Sequence, residues 1–215
     1  MEYKIAALGQ IVMKIQVPLD IFISLNRLYE HNFHKLRKAN DQLAGKIENE
    51  HSLYYNGTDN VIPNHNFLSK DIYEWFHSVF AFYLKSNNIL KYSLHLNSVW
   101  VNEMKAHEYN PVHVHQGTMF TGLSSVMILK LPNKTGVEYG NESYPTNGAL
   151  QILGNTSGQF AKIDYQPELS VRDFYIFPYD MRHVVYPFNG TKDTRRTLAA
   201  NCDVDYDPIK NRGLR

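Results

Sequence analysis

The apolar period of this chain changes at Leu90. Before it, two stretches repeat every three to four residues. After it, short apolar runs alternate or stay apolar for a few positions, then break at Gly, Pro or Asn. Strands are expected near 92–102, 111–116, 122–131, 149–153, 158–165, 171–177, 183–188 and 195–203. Sheets with one apolar face must cover that face against another layer, so eight short strands in succession leave few arrangements. The expected fold is mainly β with flanking helices: a two-sheet jelly roll (double-stranded β-helix) preceded by two N-terminal helices.

The N-terminal part supplies the brace. Ile11 to Val17 reads as a strand, and Pro18-Leu19-Asp20 opens a helix with Asp20 as its expected N-cap. Phe22, Leu25, Tyr29, Phe33 and Leu36 form one apolar stripe over about 20–39. Residues 40–66, polar and rich in Asn, Gly and His, read as a long irregular connection. A second helix is expected over 68–86, capped by Ser69 and ended by Asn87-Asn88, with Ile72, Phe76, Val79, Phe80 and Tyr83 on its buried face. The whole of 1–215 reads as a single domain: strand and supporting helices over 1–90, jelly-roll core over 91–203, and a loose charged tail over 204–215.

Charge and cysteine usage exclude several classes. A net charge of +1 without long single-sign runs gives no basis for nucleic-acid or anionic-membrane binding. The single cysteine, Cys202, rules out an intrachain disulfide and a thiolate zinc cluster. No apolar run reaches the ~20 residues of a membrane helix, and a signal-peptide pattern is missing, so the cytoplasm is the expected location.

Chemistry concentrates in Asn110-Pro111-Val112-His113-Val114-His115. Residues two apart on a strand leave the same face, so His113 and His115 point together. His183, at the start of a later strand, is the best third ligand for a site that keeps positions open, and imidazole suits iron, zinc, copper or nickel alike. By itself the pair is weak evidence, because in a chain with 10 histidines such a pair arises readily from ordinary surface or core residues. His107 is a spare candidate close to the pair. Downstream, Arg195 and Thr197 share a strand face. A guanidinium fork plus a hydroxyl can anchor a carboxylate, whereas Arg196, on the other face, is expected to be an ordinary surface arginine.

These pieces, in order, carry a resemblance. Ser98-Val99-Trp100-Val101-Asn102, Asn110 to His115, Ser124 to Pro132, Asn147 to Ile152, Phe174 to Pro178 leading to His183, and Arg195 to Asn201 follow one another as in a known family. Over roughly 97–203 the chain resembles the 2-oxoglutarate (2OG) and Fe(II)-dependent oxygenases, in particular their prolyl-4-hydroxylase-like branch with its marine bacterial and phage members. The location would then be the host cytoplasm for a phage protein.

The resemblance implies Fe(II), 2OG as cosubstrate and O2, with His113, His115 and His183 as metal ligands and no catalytic residue beyond them. It also implies that Arg195 holds the distal carboxylate of 2OG with Thr197 assisting. Leu150 packs on the cosubstrate, and Asn102 and Trp100 border the pocket. The implied reaction hydroxylates a small-molecule or peptide substrate, peptidyl proline being one candidate, while 2OG is decarboxylated to succinate and CO2. Two positions depart from the family. His115 stands where an Asp or Glu ligand is usual, with Asp180 and Glu108 as alternative sources of a carboxylate, and Met127-Ile128 replace a cosubstrate-facing tyrosine. Two rival readings remain open: a cupin-like three-histidine protein that does not use 2OG, and a non-enzymatic jelly roll with a relic site. The loop from Asn133 to Asn147 is an expected lid or substrate edge.

Overall fold

Helices cover one face of a large sheet, and a small sheet covers the other. The computed structural model describes residues 9–40, 44–58, 62–137, 146–155, 158–159 and 161–212. Strand β1 (Met13–Gln16) leads into helix α1 (Leu19–Asn32). Pro18 fixes the entry, with no side-chain cap; Asp20 sits in the first turn, where it suits the helix dipole, and does not cap. The helix is shorter than its apolar stripe. A 3-10 turn (Phe33–Lys35) follows, and Leu36 turns extended so that β2 (Arg37–Lys38) can pair with Ser52 and His51.

The stretch 40–66, expected to be irregular, contains β3 (Asn49–Tyr55) and the short β4 (His65–Asn66). Helix α2 (Lys70–Ser86) follows, with Ser69 Oγ accepting the amide of Ile72 and Asn87 closing the last turn. Its expected apolar face (Ile72, Phe76, Val79, Phe80 and Tyr83) is buried.

Then come β5 (Tyr92–Met104), β6 (Asn110–His113), β7 (Gly122–Lys130), β8 (Leu150–Leu153), β9 (Asp164–Tyr165), β10 (Asp173–Pro178), β11 (Arg182–Val185) and β12 (Arg195–Tyr206). The 158–165 strand is realised only at Asp164–Tyr165 among the described residues. The expected loose tail is partly wrong: β12 runs on through Cys202 and Val204, and α3 (Pro208–Arg212) follows. Asn211 of α3 is buried, and its Oδ1 accepts the amides of Leu90 and Lys91.

The large sheet has the order β1-β10-β7-β12-β5-β3-β2, with β4 on β3; the small sheet runs β6-β11-β8-β9. Adjacent residues of a strand face opposite ways, and β12 divides accordingly. Leu198, Ala200, Cys202 and Val204 join Phe76, Phe80 and Phe174 in the core under the helices. Between the sheets, Ile128, Tyr175 and Phe177 of the large sheet pack with Leu150, Ile152 and Val185 of the small one. Arg195, Thr197 and Asn201 lie on this inner side, because Arg195 stands opposite Met104 and Thr197 opposite Ile128 and Asn102. Among the described residues no helix is long and apolar enough to cross a membrane.

Candidate metal centre and anion pocket

Strands β6 and β11 bring two of the histidines together by register: His183 stands directly opposite His113. Strand β6 ends at His113, so His115 is not held as a strand residue. The chain beyond is fixed instead by the amide of His115 donating to Tyr179 O at 3.0 Å. The ring centroids of His113 and His183 are 4.2 Å apart, those of His115 and His183 are 4.9 Å apart, and one ligand nitrogen from each of the three rings falls within 4.8 Å of the others. His115 Nε2 lies 3.2 Å from His183 Nε2.

Burial keeps these rings neutral. The His183 imidazole is pushed down to about 3 by desolvation and then by His113. His115 lies well below its ordinary value for the same reason, reinforced by His183 and His113, and His113 is lowered by burial. Neutral imidazoles are the metal-competent form. The second nitrogens are also placed: His113 Nδ1 is 2.7 Å from Pro111 O, and His183 Nδ1 is 3.3 Å from Met181 O. A proton on each Nδ1 then donates to a backbone carbonyl and leaves Nε2 with its lone pair, as metal-ligating histidines require. His107 is exposed and outside the cluster.

The alternative carboxylates are engaged elsewhere. Glu108 accepts the amides of Glu48 and Lys105, bracing the turn after β5. Asp180 is exposed and accepts from Gln10 and Asn155. Neither joins the three imidazoles.

Arg195 is only 2 % exposed, and among the described residues its Nε and Nη2 have no hydrogen-bond partner. Its guanidinium is lowered to about 10 by desolvation alone, with no neighbouring charge opposing the effect. A buried, uncompensated cation is costly unless an anion meets it. Asn102 Oδ1, on the same inner side, is also buried without a partner. Thr197 is buried opposite Asn102, and Leu150 is fully buried in the core between the sheets. A bidentate anion with a hydrogen-bonding companion fits this donor set.

Beside His113 and His115 lies a cavity of about 610 Å³, bordered by Asn97, Trp100, Asn110, His113, His115 and Asn201. Neither Arg195 nor His183 borders it. Glu50 and Ser52 of β3 supply another wall. Asn97 enters because β5 bulges there: Ser98 pairs with Asn201, but Leu96 pairs with Cys202. Sequence reading missed β3, Asn97, Asn110 and Asn201 as wall residues. Asn97 and Asn201 were within sight as polar interruptions of apolar strands, while Glu50 carried no such mark. The central positions of the expected lid, residues 138–145, lie outside the described residues.

Residues 98–201 match a family described as "Putative 2OG-Fe(II) oxygenase". No curated protein matches the chain. Among solved structures, it is similar to a prolyl-4-hydroxylase of Pseudomonas putida, with 11 % identity, TM-score 0.53, and coverage of 89 % of this chain and 91 % of that one. A Trichoplax adhaerens prolyl hydroxylase in complex with a hypoxia inducible factor peptide gives 11 % identity and TM-score 0.56 over 96 % and 86 %. HygX of Streptomyces hygroscopicus with nickel and 2-oxoglutarate bound gives 6 % identity and TM-score 0.52 over 89 % and 82 %. Residues 98–201 thus match the 2OG-Fe(II) oxygenase family by sequence, and most of the chain shares the fold of solved prolyl hydroxylases.

Proposed function

We propose that this protein is a dioxygenase that holds Fe(II) on His113, His115 and His183, and 2OG between that metal and Arg195. The observation that carries the reading is Arg195: buried, with two unpartnered guanidinium nitrogens, on the same inner side of the jelly roll as the imidazoles. A cupin-like protein without 2OG, although it would also use neutral imidazoles, has no task for that guanidinium. When bound, iron and 2OG supply the oxidation of a C–H bond to an alcohol by O2, with 2OG leaving as succinate and CO2.

The chain's own groups orient and seclude the reactants. Arg195 takes one carboxylate of 2OG in a fork, Thr197 adds a hydroxyl, Asn102 borders the same space, and Leu150 closes it against water. The imidazoles offer no negative charge where relatives commonly place a carboxylate. A metal held by three neutral rings keeps its full charge toward the cosubstrate dianion. The substrate is a small molecule or a peptide side chain entering the cavity beside His113 and His115, against Trp100. Peptidyl proline is one candidate; the Trichoplax relative is complexed with a peptide, and HygX has been crystallised with hygromycin B. We place the protein in the cytoplasm.

Anaerobic calorimetry tests this, with Fe(II) added first and 2OG second. We expect both to bind, His113→Ala and His183→Ala to abolish the metal step, and Arg195→Ala to abolish only the 2OG step. Equal 2OG affinity in wild type and Arg195→Ala would sink the assignment.

A further inference from the structure

Each of two ligand histidines has a backbone carbonyl to hold its outer nitrogen: Pro111 O for His113 and Met181 O for His183. His115 has none. What faces its Nδ1 is the side-chain amide of Asn201, with Nδ2 at 3.4 Å. Asn201 is only 5 % exposed, sits on β12 under the cavity, and has its own Oδ1 buried without a partner.

The amide orientation decides what His115 can do. With Nδ2 toward the ring, Nδ1 accepts, the neutral ring carries its proton on Nε2, and that proton points to His183 Nε2 at 3.2 Å. His115 then turns no lone pair toward a cation, and its proton occupies that of His183, leaving His113 alone to ligate. A half-turn about the last side-chain bond exchanges amide oxygen and nitrogen at almost unchanged positions. Oδ1 then accepts the Nδ1 proton, ending its own lack of a partner, and Nε2 of His115 turns a lone pair inward beside those of His113 and His183. A partner on the outer nitrogen commonly fixes tautomer and ring direction in this way.

We infer that Asn201 is the positioning residue of the metal centre, its Oδ1 accepting from His115 Nδ1 and thereby selecting the ligating tautomer of the third imidazole. This rests on the metal-site reading above. Asn201 would supply to this all-histidine site an outer acceptor that the backbone provides for the other two rings. Ser124, its neighbour on β7, has a buried hydroxyl without a partner and is free to take up the displaced amide nitrogen.

Anaerobic Fe(II) titration against a competing chelator, on the full chain, tests the assignment. Asn201→Ala should weaken Fe(II) binding by about 10–100-fold, the usual cost of removing such a partner. Asn201→Asp, which only accepts at neutral pH, should bind near the wild-type value. Long-range proton–nitrogen spectra of the Zn(II)-loaded protein give a second readout: His115 should be protonated on Nδ1 in wild type and Asn201→Asp. Wild-type affinity in Asn201→Ala, failure of Asn201→Asp to restore binding, or a His115 proton on Nε2 in the Zn(II)-loaded wild type each overturns the inference while leaving the three-histidine site standing. A wild-type chain that binds neither metal overturns both.

Discussion

Arg195 and Arg196 are adjacent on β12 yet live in opposite electrostatic worlds. Arg195 points between the sheets with no counter-charge among the described residues. Arg196 points to the helix side, where it lies over the Tyr29 ring, 2.5 Å from Glu103 and 2.9 Å from Glu30. The pleat of one strand thus separates a buried, unpartnered cation from a paired structural one. The expectation of an ordinary surface arginine at 196 is corrected by this geometry: it is half-buried and fully paired.

Arg195→Leu should raise stability while removing 2OG recognition. Replacing a desolvated, unpaired cation by an apolar chain of similar reach is expected to stabilise by at least about 1 kcal/mol. Thermal unfolding of the Zn(II)-loaded protein with and without 2OG checks both halves. Wild type should gain melting temperature from 2OG, and the variant should start higher and gain nothing.

Arg196→Ala should do the reverse. Losing charge-assisted bonds to Glu103 and Glu30 and the contact with Tyr29 should cost about 1–3 kcal/mol in denaturant unfolding. The affinity for 2OG should be unchanged. A loss of 2OG binding at constant stability would mean that the two arginines have been assigned to the wrong faces.

Asp203→Ala should loosen the loop that carries His115. The buried Asp203 carboxylate accepts from Thr118 N at 3.0 Å and from Tyr179 Oη at 3.1 Å, and Tyr179 O in turn holds the His115 amide. Removing it strands two donors, at about 1–3 kcal/mol each. Metal affinity should fall with stability. Gly117→Ala should have a milder effect of the same kind, since an added Cβ there would collide with the Asp203 carboxylate. Unchanged metal binding in Asp203→Ala would show that the loop holds its shape without that anchor.

His51 should make the fold acid-sensitive independently of the metal site. It is 3 % exposed, packs against Phe33 and Tyr29, and has its pKa lowered by burial and then by Lys38, with Glu103 opposing. A lowered folded value means that the unfolded chain takes up the proton first. The neutral ring's contribution is therefore fully present above about pH 6.5 and is lost as pH falls from there toward the folded value. The slope is at most about 1.4 kcal/mol per pH unit for this one group. Urea unfolding between pH 7.5 and pH 5, as round test conditions spanning that window, should show a shallower pH dependence in His51→Phe than in wild type.

Much of this was written in one dimension. The apolar stripes of α1 and α2 and the strand-like runs after Leu90 follow from period alone, because each element buries one side against a neighbouring layer. The shared face of Arg195 and Thr197 follows from a two-residue repeat, whereas His115 lies beyond the end of β6 and is held by Tyr179 O rather than by strand alternation. Where both sides of a strand are enclosed, that logic fails. In β3, Glu50 and Ser52 face a polar cavity while His51 and Leu53 pack beneath the helices, so the run shows no alternation. Asp203 interrupts β12 in sequence but not in space, because its charge meets Tyr179 and Thr118.

The order of residues by itself settled the strand-rich class, the supporting helices and which side chains are candidates for the chemistry, since local period and residue type are properties of neighbours along the chain. Tertiary structure alone decided that His183 meets His113 across β11 and β6, that Asp180 and Glu108 stay away, and that Asn201 stands behind His115. Those contacts join residues up to 86 positions apart, and only sheet register and desolvation fix what such distant groups do to one another.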